Sequence, residues 1–250
     1  MLIDTHCHLD QVIGCDDRSQ LISAIQNPVI TMGIVFPQFS ELLRLRDINQ
    51  NVVPACGFHP WFINKDSLDL LQPFADFCLQ HNVRVIGEIG LDFSKNYRAT
   101  SAIQLDVLTF ELAFAYEHNL PVSIHVYKAY DQLYALLKRY PVRGVLHSFP
   151  GGWQQARRFI DLGFKIGING LILRPQTVRY IELVQKLPIE SLVVETDAPN
   201  IHYPDGRAGD LSMLPLVALQ IANIKNMSFE DVCKITTRNA LEVFKLDEFI

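Results

Sequence analysis

Met1-Leu2-Ile3-Asp4-Thr5-His6-Cys7-His8 is the stretch on which the fold turns. Leu2 and Ile3 start an apolar run and Thr5 adds a β-branched residue, so the segment predicts a strand. Alternation along a strand sends His6 and His8 to one face and Cys7 to the other. Two imidazoles one strand repeat apart, roughly 7 Å at Cα, can converge on a single metal ion. The plainer reading of the pair is two buried histidines bonded to backbone. Later strand ends decide between the two, because they offer further His, Glu and Asp side chains.

Apolar runs of strand length recur at 29–36, 52–58, 83–92, 122–126, 144–149, 164–168 and 192–197. Helical spacing fills the intervals near 18–26, 40–49, 67–81, 101–118 and 130–139, then a helix ending at Gly163 and another near 175–186. Two more helices, near 211–223 and 228–244, close the chain. Ser40 reads as an N-cap, Ser67 as a helix start, and Leu105, Leu108, Leu112 and Ala115 as the buried stripe of the longest helix. Eight short strands separated by helices call for parallel βαβ units. The fold expected is an α/β (β/α)8 TIM barrel, with an open doubly wound sheet as the alternative. No linker or low-complexity tract interrupts residues 1–250, so a single domain is expected.

Composition narrows the functional classes. With 49% hydrophobic and 20% charged residues the chain can bury a sizeable core. The net charge of −5, without a basic block, argues against coating nucleic acid by electrostatics alone. It leaves room for a nuclease whose metal ions neutralise the phosphate being cut. The five cysteines (Cys7, Cys15, Cys56, Cys78, Cys233) are scattered, with no Cys-x-x-Cys spacing, which points to a reducing compartment. There is neither a signal-like start nor an apolar run of membrane-spanning length, so a soluble cytoplasmic protein is expected, with no obligatory protein partner.

In a parallel barrel the active site lies at the C-terminal ends of the strands. His6 and His8 fall there on the first strand, His59 after the third, Glu88 on the fourth, His125 on the fifth, His147 on the sixth and Asp197 on the eighth. Singly, each has a plain reading: a hydrogen-bonded core histidine, a loop charge at Glu88, a turn residue at Asp197 before Ala198-Pro199. Jointly, His6, His8, Glu88, His125, His147 and Asp197 exceed what one catalytic zinc needs, since such a site takes three protein ligands. Two divalent ions bridged by Glu88 fit the count, and nitrogen–oxygen ligation suits Zn²⁺, Mn²⁺ or Mg²⁺. Paired ions activate water and stabilise both oxygens of a phosphodiester displacement. Asp197 and Glu88 are the expected catalytic carboxylates, with Asp197 as the proton acceptor.

These motifs together resemble the TatD family of metal-dependent deoxyribonucleases, within the amidohydrolase-like barrels. The matching pieces are Asp4-Thr5-His6-Cys7-His8-Leu9-Asp10, Gly57-Phe58-His59-Pro60, Gly87-Glu88-Ile89-Gly90-Leu91-Asp92, Ile124-His125, Gly144-Val145-Leu146-His147-Ser148-Phe149 and Glu195-Thr196-Asp197-Ala198-Pro199. The resemblance implies a barrel hydrolase with a two-metal site and 3′→5′ exonuclease or related DNase activity on DNA or another phosphodiester. It implies that His6, His8 and Asp197 hold one ion and His125 and His147 the other, with Glu88 between and His59 on the substrate phosphate. Val126-Tyr127 stands where the family usually has Ser-Arg; Lys128 follows and is read with His59 as substrate-binding. The run after Pro199 also departs from the family's Arg-Gly-Lys-Arg-Asn-Glu-Pro. Two other readings stay open: hydrolysis of a small amide, ester or lactone in the same barrel, and a metal-stabilised binding protein without turnover.

Overall fold

The computed structural model describes residues 1–12 and 18–246. Cys15, one of the thiols weighed above, lies outside the described residues. Eight strands pair in parallel in chain order: β1 Asp4–Cys7, β2 Val29–Gly33, β3 Val52–Cys56, β4 Val85–Asp92, β5 Val122–Tyr127, β6 Gly144–Leu146, β7 Lys165–Ile168 and β8 Leu192–Val194. β8 returns to β1 beyond its own end: Asp197 N donates to His6 O at 2.8 Å and His8 N donates to Ala198 O at 2.8 Å. The sheet therefore curls into a nearly closed barrel, as expected, and not into an open doubly wound sheet.

The helices are α1 Leu9–Val12, α2 Arg18–Ser23, α3 Phe39–Ile48, α4 Leu71–Gln80, α5 Ser101–Glu117, α6 Tyr130–Arg139, α7 Trp153–Ile160, α8 Val178–Lys186, α9 Met213–Lys225 and α10 Phe229–Phe244. Burial on both sheet faces explains the near-continuous apolar strands. On one side, Ile30 and Met32, then Val53 and Ala55, alternate at period two and pack with Val145, Val193 and Phe244. α10 closes the end of the barrel away from the site, where Thr237 Oγ1 donates to Met1 O and Asn239 Nδ2 to Ile189 O and Leu192 O, all at or just before the starts of β1 and β8. On the other side Cys7 packs with Leu9, Ile22 and Leu42, outward as alternation requires.

Several local expectations change. α3 starts at Phe39, running on from a 3₁₀ turn over Phe36–Gln38, so Ser40 sits inside its first turn and caps nothing. Ser67 lies within a 3₁₀ turn, Lys65–Leu70, where Asn64 is the N-cap and Ser67 closes the capping box at Asn64 N. Leu105 is only half-buried; Gln104 and Glu111 take buried places on α5 instead. β6 and β8 also stop short of the predicted ends, which leaves His147 and Asp197 on the turns that leave the sheet.

Candidate metal centre

All six expected ligand side chains and His59 gather at the C-terminal mouth of the barrel, around a cleft of about 460 Å³. Glu88 sits at the middle. Its Oε2 lies 3.3 Å from His6 Nε2 and 3.9 Å from His8 Nε2, while its Oε1 lies 3.3 Å from His59 Nε2 and 3.6 Å from His125 Nδ1. Asp197 completes the ring, with Oδ1 3.6 Å from His8 Nε2 and Oδ2 3.5 Å from His147 Nε2. Glycines on β4 allow this crowding. A Cβ on Gly87 would come 2.9 Å from that of Ser123, and one on Gly90, at φ +146°, would run into the His125 carbonyl.

Ligand atoms within 4.8 Å of one another form three groups: His6, His8 and Asp197; His6, Glu88 and His147; His59, Glu88 and His125. The first is the set that the resemblance implies for one ion. His125 and His147, implied for the other, fall into different groups. The reason is visible around His147. Its ring stacks on His6, with centroids 3.5 Å apart, and its Nδ1 lies 2.9 Å from Glu195 Oε1, so it is held toward the strand-eight side.

The outer nitrogens sort the histidines by role. His125 Nε2 faces Asp92 Oδ2 at 3.2 Å, and His147 Nδ1 faces Glu195. A carboxylate only accepts, so in a neutral ring each of these outer nitrogens carries the hydrogen and the inner nitrogen keeps its lone pair. His6 Nδ1 meets Ser123 Oγ at 3.1 Å, which is compatible with the same arrangement. His59 is reversed: its Nδ1 accepts from Trp61 N at 3.2 Å, so in the neutral ring Nε2 bears the hydrogen and points at Glu88. In that tautomer His59 is a donor into the cleft, although its ring also stands in the third of the three groups.

Charge follows geometry. Burial alone would raise the Glu88 carboxyl, but His59 and His6 beside it outweigh that and hold it well below the usual range. Asp197 is depressed in the same way by His147 and His8 against the pull of burial. Burial keeps His6 and His59 below the ordinary imidazole value. His6 Nε2 is fully buried and makes no hydrogen bond among the described residues. A buried lone pair beside ionised carboxylates, with nitrogen and oxygen donors only, fits a divalent ion such as Zn²⁺ or Mn²⁺.

Several residues that serve the site were read only as parts of motifs. Asp4 accepts from His6 N at 3.2 Å, Thr196 N at 2.9 Å and Thr196 Oγ1 at 2.6 Å, tying β1 to the exit of β8; burial pushes its carboxyl up to about 7. Asp92 accepts from both His125 and Trp61 Nε1, the latter at 2.7 Å. Glu195 also accepts from Ser148 N at 2.8 Å. The one local signal was an acidic side chain inside an apolar strand end, which needs a partner if buried. Lys128 is exposed, its ammonium 5.3 Å from the Tyr127 ring centre; Tyr127, not Lys128, lines the cleft.

The family model for TatD related DNase matches residues 3–245. The chain belongs to the TatD family. Among TatD relatives, the uncharacterized metal-dependent hydrolase YjjV of Escherichia coli K12 is 35% identical over 207 residues, covering 80% of each chain. The uncharacterized metal-dependent hydrolase YabD of Bacillus subtilis 168 is 28% identical, covering 99% of this chain and 100% of its own. The crystal structure of YjjV, described as a TatD homolog, superposes with a TM-score of 0.85 at 28% identity over 98% of both chains. A TatD-family hydrolase from Entamoeba histolytica shares the fold at TM-score 0.81 and 20% identity, over 97% of each chain. Among the described residues of this TatD protein, no helix is long and apolar enough to cross a membrane.

Proposed function

We propose that this metal-dependent hydrolase of the TatD family cleaves phosphodiester bonds at DNA ends, as a 3′→5′ exonuclease, with two divalent ions held by His6, His8, Glu88, His125, His147 and Asp197. The observation that carries the reading is the division of Glu88, whose Oε2 faces His6 and His8 while its Oε1 faces His125. A carboxylate turned to two sets of imidazoles suits a bridge. When bound, paired ions neutralise phosphate charge and lower the pKa of water toward neutrality.

The side chains supply the rest. Asp197, ionised and oriented by Asn200 Nδ2 at 3.1 Å from Oδ1, accepts the proton of the attacking water. His59 Nε2–H donates to a non-bridging phosphate oxygen, its tautomer set by Trp61 N. Lys128, exposed beside the cleft, is available to a phosphate farther along the strand. A net charge of −5 means that affinity rests on these few contacts and not on a basic surface.

The test is purified protein supplied with Mn²⁺, Mg²⁺ or Zn²⁺ and offered single-stranded DNA, a generic phosphodiester, and a panel of lactones and amides. Release of mononucleotides from 3′ ends supports the reading. Turnover confined to lactones or amides moves the protein to small-molecule hydrolysis, and turnover of nothing favours a binding role.

A further inference from the structure

Trp61 and Phe62 stand side by side on a 3₁₀ turn, Pro60–Phe62, directly after His59, and are 48% and 49% exposed. Single exposed apolar side chains are ordinary on protein surfaces. Trp61 differs because its exposed ring is immobilised. Its indole N–H donates to Asp92 Oδ2 at 2.7 Å. Tyr97 stacks on one face, with centroids 5.2 Å apart and planes 10° from parallel. His59 and His125 meet the ring nearly at right angles, at 5.0 and 5.9 Å. A side chain that served only to fill space would not need four partners to fix its plane while it stays half-exposed and lines the cleft.

We infer that Trp61 is a stacking platform for an unpaired nucleobase of the strand being cut. The inference rests on the phosphodiesterase reading above and adds to it how the substrate is gripped. Tyr97 covers one face, and the 48% of Trp61 that stays exposed is what a planar ligand can meet. An aromatic ring already locked in place loses little freedom on binding, so most of the stacking energy appears as affinity. Placement favours a nucleotide over another flat molecule. The neighbouring ring, His59, presents a hydrogen-bond donor suited to phosphate, and a nucleotide joins base to phosphate through a single sugar. Stacking on an aromatic side chain grips every base alike, so the platform gives a sequence-tolerant hold on a frayed or single-stranded end. It also supplies binding that a chain of net charge −5 cannot draw from a basic surface.

The experiment uses a short single-stranded deoxyoligonucleotide with hydrolysis-resistant phosphorothioate linkages, and an abasic strand of the same length, each with Mn²⁺ present. The chain has two tryptophans, so Trp153→Phe leaves Trp61 as the reporter. The base-bearing strand is expected to quench Trp61 emission and the abasic strand to leave it unchanged. By fluorescence anisotropy of labelled strands, Trp61→Ala should weaken binding of the base-bearing strand about tenfold and leave abasic binding alone, with Trp61→Phe restoring most of the loss. Equal binding of the base-bearing strand by wild type and Trp61→Ala overturns the platform. The phosphodiesterase reading has a separate readout, hydrolysis of an ordinary abasic phosphodiester strand. Failure there with Trp61-dependent binding intact leaves the platform standing and removes the reaction.

Discussion

Glu195 Oε1 lies 2.9 Å from Nδ1 of His147, with the carboxylate wholly buried and the imidazole 6% exposed. Burial would lower the imidazole, but Glu195 and Asp197 outweigh it and raise His147 well above its ordinary value. The contact fixes which nitrogen of His147 faces the cleft and makes it a stronger electron donor. Gly167 makes room for it, since a Cβ there would collide with Glu195 Oε2.

Glu195→Gln keeps the shape and an oxygen for Ser148 N but removes the charge behind His147. Metal affinity should fall by about 10- to 100-fold, as for other outer partners of metal-bound histidines. Competition against a chelator, read by elemental analysis, measures it. Unaltered affinity would show that Glu195 merely caps Ser148.

Asp197 and His59 should separate in kinetics. Asp197→Asn retains an oxygen of similar placement and loses basicity, so it should cut kcat by ~10² or more with at least one ion still bound. His59→Ala removes a donor to substrate and should mostly raise KM. Steady-state kinetics beside metal analysis decides; wild-type kcat in a metal-loaded Asp197→Asn enzyme would exclude Asp197 as the proton acceptor.

Cys7 is flanked by His6 and His8 yet should be chemically silent. It is fully buried among Leu9, Ile22 and Leu42 on the helix side of β1, and burial pushes its thiol well up. Native protein should resist thiol reagents at Cys7. Cys7→Ala should keep activity while losing on the order of 1–2 kcal/mol of stability. Rapid labelling at this position in the folded state would contradict the outward placement.

Much of this was legible in the chain because barrel geometry converts strand order into spatial order. Period-two alternation placed His6 with His8 and against Cys7, and strand ends collected Glu88, His125, His147 and Asp197 at one mouth. What stayed hidden depends on contacts without a local trace. Asp4 meets Thr196 across a separation of 192 residues, and Trp61 meets Asp92 from the next loop around the barrel. The directions of the His125 and His147 rings are likewise set by partners on other strands, which is why their split was not foreseen. Ser40 failed as a cap for a different reason: a 3₁₀ turn led by Phe36-Pro37 had already started the helical path.

Glu111 is a carboxyl buried on α5 outside the metal centre. Its Oε1 accepts from Phe58 N at 2.7 Å, fastening the residue before His59, while Oε2 makes no hydrogen bond among the described residues. Burial pushes its pKa well above the ordinary 4.5, and the Phe58 N–H only partly opposes this. The sign follows from proton linkage. A carboxyl raised in the folded state contributes stability that is fully present below the unfolded-state value and is lost as pH rises through the folded-state value. Over that window the native protein holds a proton that the unfolded chain has released, and each pH unit removes about 1.4 kcal/mol. Glu111→Gln keeps a carbonyl oxygen for Phe58 N and cannot ionise. The variant should match the wild type in acid and become progressively more stable than it as the medium turns alkaline. Denaturant unfolding of both proteins across a pH series measures the difference, in which any pH dependence common to the metal centre cancels. Parallel curves at every pH would mean that Glu111 is already ionised in the folded protein at neutrality.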